Sequence, residues 1–141
     1  MNNIKLEVIT PSKLFYSGDV ELVIARTLAG DEGFMAGHSW ATKLLDVDEL
    51  WIREPGHKDY RVAAVAGGYI DVKESIILYT DAAEWQEDID VERAKESKSD
   101  AEHWLATEQK HDPREIARAQ IAIAKAIARM NVAGGGRRKH R

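Results

Sequence analysis

Four basic side chains, Arg114, Arg118, Lys125 and Arg129, fall at spacings of four, seven and four residues near the end of a 141-residue sequence. On a helix those spacings put all four on one face, a rail of cations suited to an anionic ligand or an acidic protein surface. The same pattern also serves as the solvated face opposite an apolar stripe. Little else in the sequence offers chemistry. The histidines at 38, 57, 103, 111 and 140 lack metal-ligand spacing and there is no cysteine, so no metal site is expected. Ser39 beside His38 reads as a loop detail, and no catalytic residue is assigned. Gly134-Gly135-Gly136 follows helical sequence and has no Lys-Ser or Lys-Thr after it, which makes it a helix stop and linker, not a phosphate loop.

Charge is distributed unevenly around that rail. Residues 113–141 hold eight basic groups against Glu115 alone, a net +7, which leaves −11 on residues 1–112 of the formal total of −4. A basic arm on an acidic body points to a negatively charged partner, within the chain or outside it. The approach to the rail, residues 88–112, has eight acidic and four basic groups, and part of the rail is expected to pair with it. An apolar fraction of 44% and a charged fraction of 31% are those of a folded globular protein. There is no run of about twenty apolar residues to span a membrane. Met1-Asn2-Asn3-Ile4-Lys5 lacks the pattern of a signal peptide, and a cytoplasmic location is expected.

The elements that must position the rail divide the sequence in two. Up to Asp81 the apolar residues alternate: Ile4, Leu6 and Val8, then Val20, Leu22 and Ile24, as in half-buried strands. Tyr60–Val65, Tyr69–Val72 and Ser75–Tyr79 read as a three-stranded meander turning at Gly67-Gly68 and Lys73-Glu74. Further turns are expected at Pro11-Ser12, Ser17-Gly18-Asp19, Gly30–Gly33 and Pro55-Gly56. Together these predict an antiparallel sandwich or barrel of about eighty residues.

Beyond Asp81 the only proline is Pro113, and alanine, glutamate, lysine and arginine dominate, as in helices. A first helix is predicted from the cap Asp90 to about Gln109, with a thin stripe of Val91, Ala94, Ala101, Trp104 and Leu105. After a break at Lys110-His111 a second starts at Asp112-Pro113-Arg114-Glu115 and stops before Gly134. Its apolar stripe is Ile116, Ala119, Ile123, Ala126, Ile127 and Met130. The short break makes the two helices an antiparallel hairpin. Alanine-rich packing buries little area, and at about 25 cal/mol per Å² it contributes only a few kcal/mol before ordering entropy, so the hairpin should open readily. The expected architecture is α+β: a β-sandwich over residues 1–87, a helical hairpin over 88–133 and a basic tail over 134–141.

Three stretches in this order resemble the epsilon subunit family of F-type ATP synthases: Gly30-Asp31-Glu32-Gly33-Phe34-Met35-Ala36-Gly37-His38; Val65-Ala66-Gly67-Gly68-Tyr69-Ile70-Asp71-Val72; and Ala83-Glu84 with Ile89-Asp90-Val91-Glu92-Arg93-Ala94. They are similar to the family's G-E-x-G-x-x-P-G-H loop, S-G-G-x-x-E-V hairpin and A-E…I-D-x-x-R-A junction, over roughly residues 4–133. Ala36 stands where the loop usually has proline, and Trp40 in the segment after it is a further departure.

The resemblance implies a non-catalytic rotor subunit at the cytoplasmic face of the cell membrane, touching the membrane only through its complex. Its sandwich would fasten the gamma subunit to the ring of c subunits, with Asp31 and His38 near the ring. The hairpin would switch between folded-down and extended states, the latter using Arg114, Arg118, Lys125 and Arg129 against the alpha/beta catalytic head to block ATP hydrolysis. No cofactor is required, but some members bind regulatory ATP on the folded-down hairpin. Carried over by position, that site comprises Glu84, Ile89, Asp90, Arg93, Ala94, Lys125 and Arg129. Lys125 replaces an arginine there, a point charge in place of a planar two-pronged donor. Asp90 and Arg93 equally suit a helix cap and an ordinary ion-pair partner. A different reading makes the sandwich a ligand-binding module with a basic nucleic-acid-binding helix. The acidic remainder and the absence of aromatics on the second helix disfavour it, and no nucleic-acid partner is expected.

Overall fold

The computed structural model describes residues 2–107 and 112–135. The expected helix end at Gln109, the break at Lys110-His111 and the basic tail Arg137–Arg141 lie outside them. Eight strands come first: β1 (Ile4–Ile9), β2 (Leu14–Val20), β3 (Leu22–Thr27), β4 (Gly30–Phe34), β5 (Ala41–Arg53), β6 (Arg61–Val72), β7 (Ile76–Tyr79) and β8 (Ala83–Trp85). A 3₁₀ turn at Gln86–Asp88 leads to helices α1 (Val91–Thr107) and α2 (Pro113–Ala133). The strands pair in the order β2-β1-β7-β6-β5-β3-β4, with β8 added to β6. The sandwich and the two helices appear as the sequence predicts. The sheet is mixed, however, because β1 runs parallel to β7.

The sandwich interior takes one face of every long strand. Ile4, Leu6, Val8, Phe34, Leu50, Ile52, Ile70 and Leu78 are all buried in a single cluster. Alternation changes phase between β2 and β3: a bend at Glu21 separates the strands, so Val23 and Ala25 turn inward, not Leu22 and Ile24. Ile24 instead packs on the outer face, in a second cluster with Trp51, Val62, Ala64 and Val132 of α2. Val62-Ala63-Ala64-Val65 is accordingly buried on both faces, which explains its unbroken apolar run.

Three expected turns are absent as turns. Ser17-Gly18-Asp19 continues β2 in register with β1, and Gly30–Gly33 is the edge strand β4, turned only at Leu28-Ala29. Gly67-Gly68 lies within β6, which pairs with β8 before the two glycines and with β7 after them. A turn and a bend make the same local demand, positive φ, and these glycines have φ of 77° and 111°. At Gly68 a Cβ would lie 1.8 Å from the Tyr79 carbonyl oxygen, so the strand passes where only glycine fits.

Both helices start on their expected caps. Asp90 Oδ1 accepts from Arg93 N at 3.1 Å, and Asp112 Oδ1 accepts from Arg114 N at 2.8 Å, with Pro113 at the first helical position. Along α1 only Ala94 is fully buried. On α2 the buried residues are Ala126, Ala128 and Val132, whereas Ile127 is exposed. The helix rests on the sheet as well as on α1, and that second contact shifts its buried stripe toward Ala128 and Val132.

Gly68→Ala is expected to cost more than about 3 kcal/mol or to prevent folding, because strain and backbone overlap act together. Gly30→Ala, with φ of 114° but open space around its Cβ, should cost about 1–2 kcal/mol of strain alone. Thermal unfolding of the two variants checks the ranking.

Candidate anion-binding cleft

Cross-strand register places Glu49 of β5, Ala64 of β6 and Glu84 of β8 in one row. Directly paired residues share a face, so both carboxylates belong to the outer face on which α2 rests. Glu49 is buried, and Trp51 Nε1 donates to its Oε1 at 3.1 Å. Glu84 receives Arg129 at two points, Nε to Oε1 at 2.7 Å and Nη2 to Oε2 at 3.4 Å. Gln86 Nε2 then donates to the Val132 carbonyl oxygen at 2.8 Å, near the C-terminal end of α2. A charge-assisted two-point contact, a side-chain bond to the helix end and the apolar seat of Val132 thus hold α2 on the sandwich.

Beside this seat lies a cleft of about 790 Å³, walled by β2, β8 and both helices. That volume is within the ordinary range for small-molecule sites, about 300–1,000 Å³. Of the residues predicted to bind nucleotide, Glu84, Arg93, Lys125 and Arg129 line it. Three others do not: Ile89 packs into the cluster around Trp51, Asp90 caps α1, and Ala94 is fully buried. Lys13, Phe15, Trp85, Asp88 and Ser97 also line the cleft without having been assigned to it. Among the described residues Lys13, Arg93 and Lys125 form no ion pair, so the cleft carries cations available to an anion.

Arg114 and Arg118 lie outside the cleft and are exposed. The expected pairing of the rail with α1 is absent among the described residues: Arg129 alone of the four forms an ion pair, and its partner is on the sandwich. The reason is the position of β8, whose pairing with β6 brings Glu84 to Arg129 of α2.

Asp31 and His38 belong to a second surface. Asp31 lies on β4, with Arg26 Nη1 at 3.5 Å from its Oδ1. His38 tilts against Phe34, and its Nδ1 is 2.6 Å from the Ser39 carbonyl oxygen, a contact with backbone and not with the serine hydroxyl. Leu28, Met35, Trp40 and Leu44 are exposed around them, Leu28 by 70% and Trp40 by 67%. Isolated exposed apolar residues are ordinary, but these four fall within one stretch, residues 28–44, that also holds Asp31 and His38. Within that stretch Lys43 Nζ donates to Glu32 Oε1 at 2.8 Å. That bond, with help from the Thr27 hydroxyl, holds the Glu32 carboxyl below its usual range.

A sandwich with a two-helix hairpin seated on its outer face, and cations gathered between them, defines a two-part protein. Residues 3–86 match the profile of the ATP synthase delta/epsilon chain, beta-sandwich domain, and residues 87–134 that of its long alpha-helix domain. The chain belongs to the ATP synthase delta/epsilon chain family. It is 36% identical to the ATP synthase epsilon chain of Caldicellulosiruptor saccharolyticus over 94% of each chain. It is 33% identical to that of Bacillus pumilus over 95% of this chain and 99% of the relative. The fold is also similar to a chain in the Euglena gracilis mitochondrial ATP synthase (OSCP/F1/c-ring), with a TM-score of 0.74 at 22% identity, covering 89% of this chain and 78% of the other.

Because its partners hold the folded carboxyl of Glu32 below the ordinary carboxylate range, its contribution is present above that range and lost as pH falls through the folded value. Glu32→Gln should therefore lower stability by up to about 1 kcal/mol at neutral pH, both partners being partly exposed. The difference should vanish in acid, as urea unfolding at the two pH values would show.

Proposed function

We propose that the chain is a central-stalk rotor subunit, without catalytic activity of its own, that links gamma to the c ring and restrains ATP hydrolysis through its helices. The segment of residues 28–44, with Asp31, His38 and its exposed apolar side chains, docks the ring, and another part of the sandwich holds gamma at the cytoplasmic face of the membrane. Among the described residues no helix is long and apolar enough to cross a membrane, consistent with attachment through the complex. A similar fold occurs in the central stalk/c-ring of Tetrahymena thermophila mitochondrial ATP synthase, with a TM-score of 0.67 at 10% identity.

One observation carries the regulatory half. The seat of α2 consists of one ion pair, one side-chain hydrogen bond and a small apolar cluster, with two rail residues left exposed. Such a helix can leave at low cost when an acidic surface rewards it, and Arg114, Arg118, Lys125 and Arg129 would then meet the alpha/beta catalytic head.

ATP fits the cleft as a regulatory ligand, not as a cofactor. Arg93 and Lys125 offer charge to a triphosphate, and Arg129 could join them by sharing or leaving Glu84. Bound there, ATP would favour the folded-down state, because extension dismantles the cleft.

Deleting residues from Val91 onward should leave the synthase assembled and raise its ATP hydrolysis. Hydrolysis unchanged under all nucleotide conditions would remove the inhibitory role while leaving the stalk role. Millimolar ATP should change the emission of Trp85, which lines the cleft; a flat titration would remove ATP as its ligand.

A further inference from the structure

The cleft is not a property of the helices alone, for its outer wall comes from β2. Lys13 stands at the start of that wall on a turn fixed by three hydrogen bonds. Thr10 N and Thr10 Oγ1 both donate to the Lys13 carbonyl oxygen, at 2.9 and 3.1 Å, and Lys13 N donates to Thr10 Oγ1 at 3.2 Å. The Lys13 Nζ lies 5.8 Å from the Phe15 ring centre, and Phe15 stacks on Trp85 at 4.5 Å. Arg61 covers Trp85 at 3.9 Å. The ammonium is thereby supported on a rigid aromatic column beside the cleft, with no carboxylate paired to it among the described residues.

We propose that Lys13 is a phosphate-binding residue of this cleft, so that a bound polyphosphate is held by the sandwich on one side and by the hairpin on the other. The inference rests on the nucleotide reading above and adds a contact from outside the helices. Its consequence is mechanical. A ligand touching Lys13 and Arg93 or Lys125 together binds only while the hairpin is down, and its preference for that state includes the whole Lys13 contact. A ligand held by the two helices alone would lack that part of the bias. The pinned turn serves this purpose because little backbone ordering remains to be lost on binding.

The test compares full-length wild type, Lys13→Ala, Lys13→Arg and Arg93→Ala, each titrated calorimetrically with ATP and with inorganic tripolyphosphate. Lys13→Ala should weaken both ligands about fivefold to tenfold, the scale of one charge-assisted contact at a partly exposed site. Lys13→Arg should restore most of the affinity. Because Lys13 is exposed, the unliganded melting temperature should not change. ATP should protect the α1–α2 segment from limited proteolysis less in Lys13→Ala than in wild type. Equal affinities of wild type and Lys13→Ala, alongside a loss in Arg93→Ala, would overturn the role of Lys13 and leave the nucleotide reading standing. Weakening of ATP alone would overturn the phosphate assignment. Wild type binding neither ligand would overturn both readings.

Discussion

The two-point contact between Arg129 and Glu84 is the interaction around which the rest is arranged. Glu84 is available because β8 adds to β6 ahead of the Gly67-Gly68 bend and in register with Ala64. Arg129 reaches it because Val132, one turn further along α2, is seated among Trp51, Val62 and Ala64. The ion pair closes one side of the cleft, fixes the height of α2 above the sheet and leaves the N-terminal half of the rail to solvent. Its partners lie 45 residues apart in sequence, so it joins the sandwich to the second helix across a long stretch of chain.

The strength of this seat suits a switch better than a permanent joint. An ion pair with both side chains partly open to water gives modest net stability, and α2 adds only small side chains, Ala128 and Val132, to the apolar contact. The sandwich interior depends on none of them: Leu6, Val8, Phe34, Leu50 and Ile70 are buried among strands alone. Apolar burial is thus concentrated in the sandwich, the distribution that the proposed opening of the hairpin requires. A weak seat is also one that a ligand of ordinary affinity can strengthen appreciably.

The sequence made some of this visible and hid the rest for identifiable reasons. Asp90 and Asp112-Pro113 were legible as caps because capping depends on residues within one helical turn. Gly67-Gly68 was misleading because positive φ is required equally by a hairpin turn and by the bend within β6. Leu22 and Ile24 were assigned to the wrong face because a phase change at Glu21 leaves the pattern of apolar residues intact. Ile127 was placed in the buried stripe and lies outside it, since the contact of α2 with the sheet draws on Ala128 and Val132. Glu84, Arg93, Lys125 and Arg129 entered the reading through family resemblance, and the structure brings the four to one cleft. Lys13 and Phe15 had no such signal; their place beside Trp85 follows from the course of β2 through the sandwich.

The central claim is that the hairpin is a separately opening unit on a stable sandwich, and native-state amide hydrogen exchange on the isolated protein measures this directly. Amides of α1 and α2 should exchange through an opening several kcal/mol less costly than that of β1, β5 and β6, with the sandwich still protected while the helices exchange. If helix and core-strand amides shared one opening free energy under all conditions, the two parts would unfold only together, and the account would be wrong.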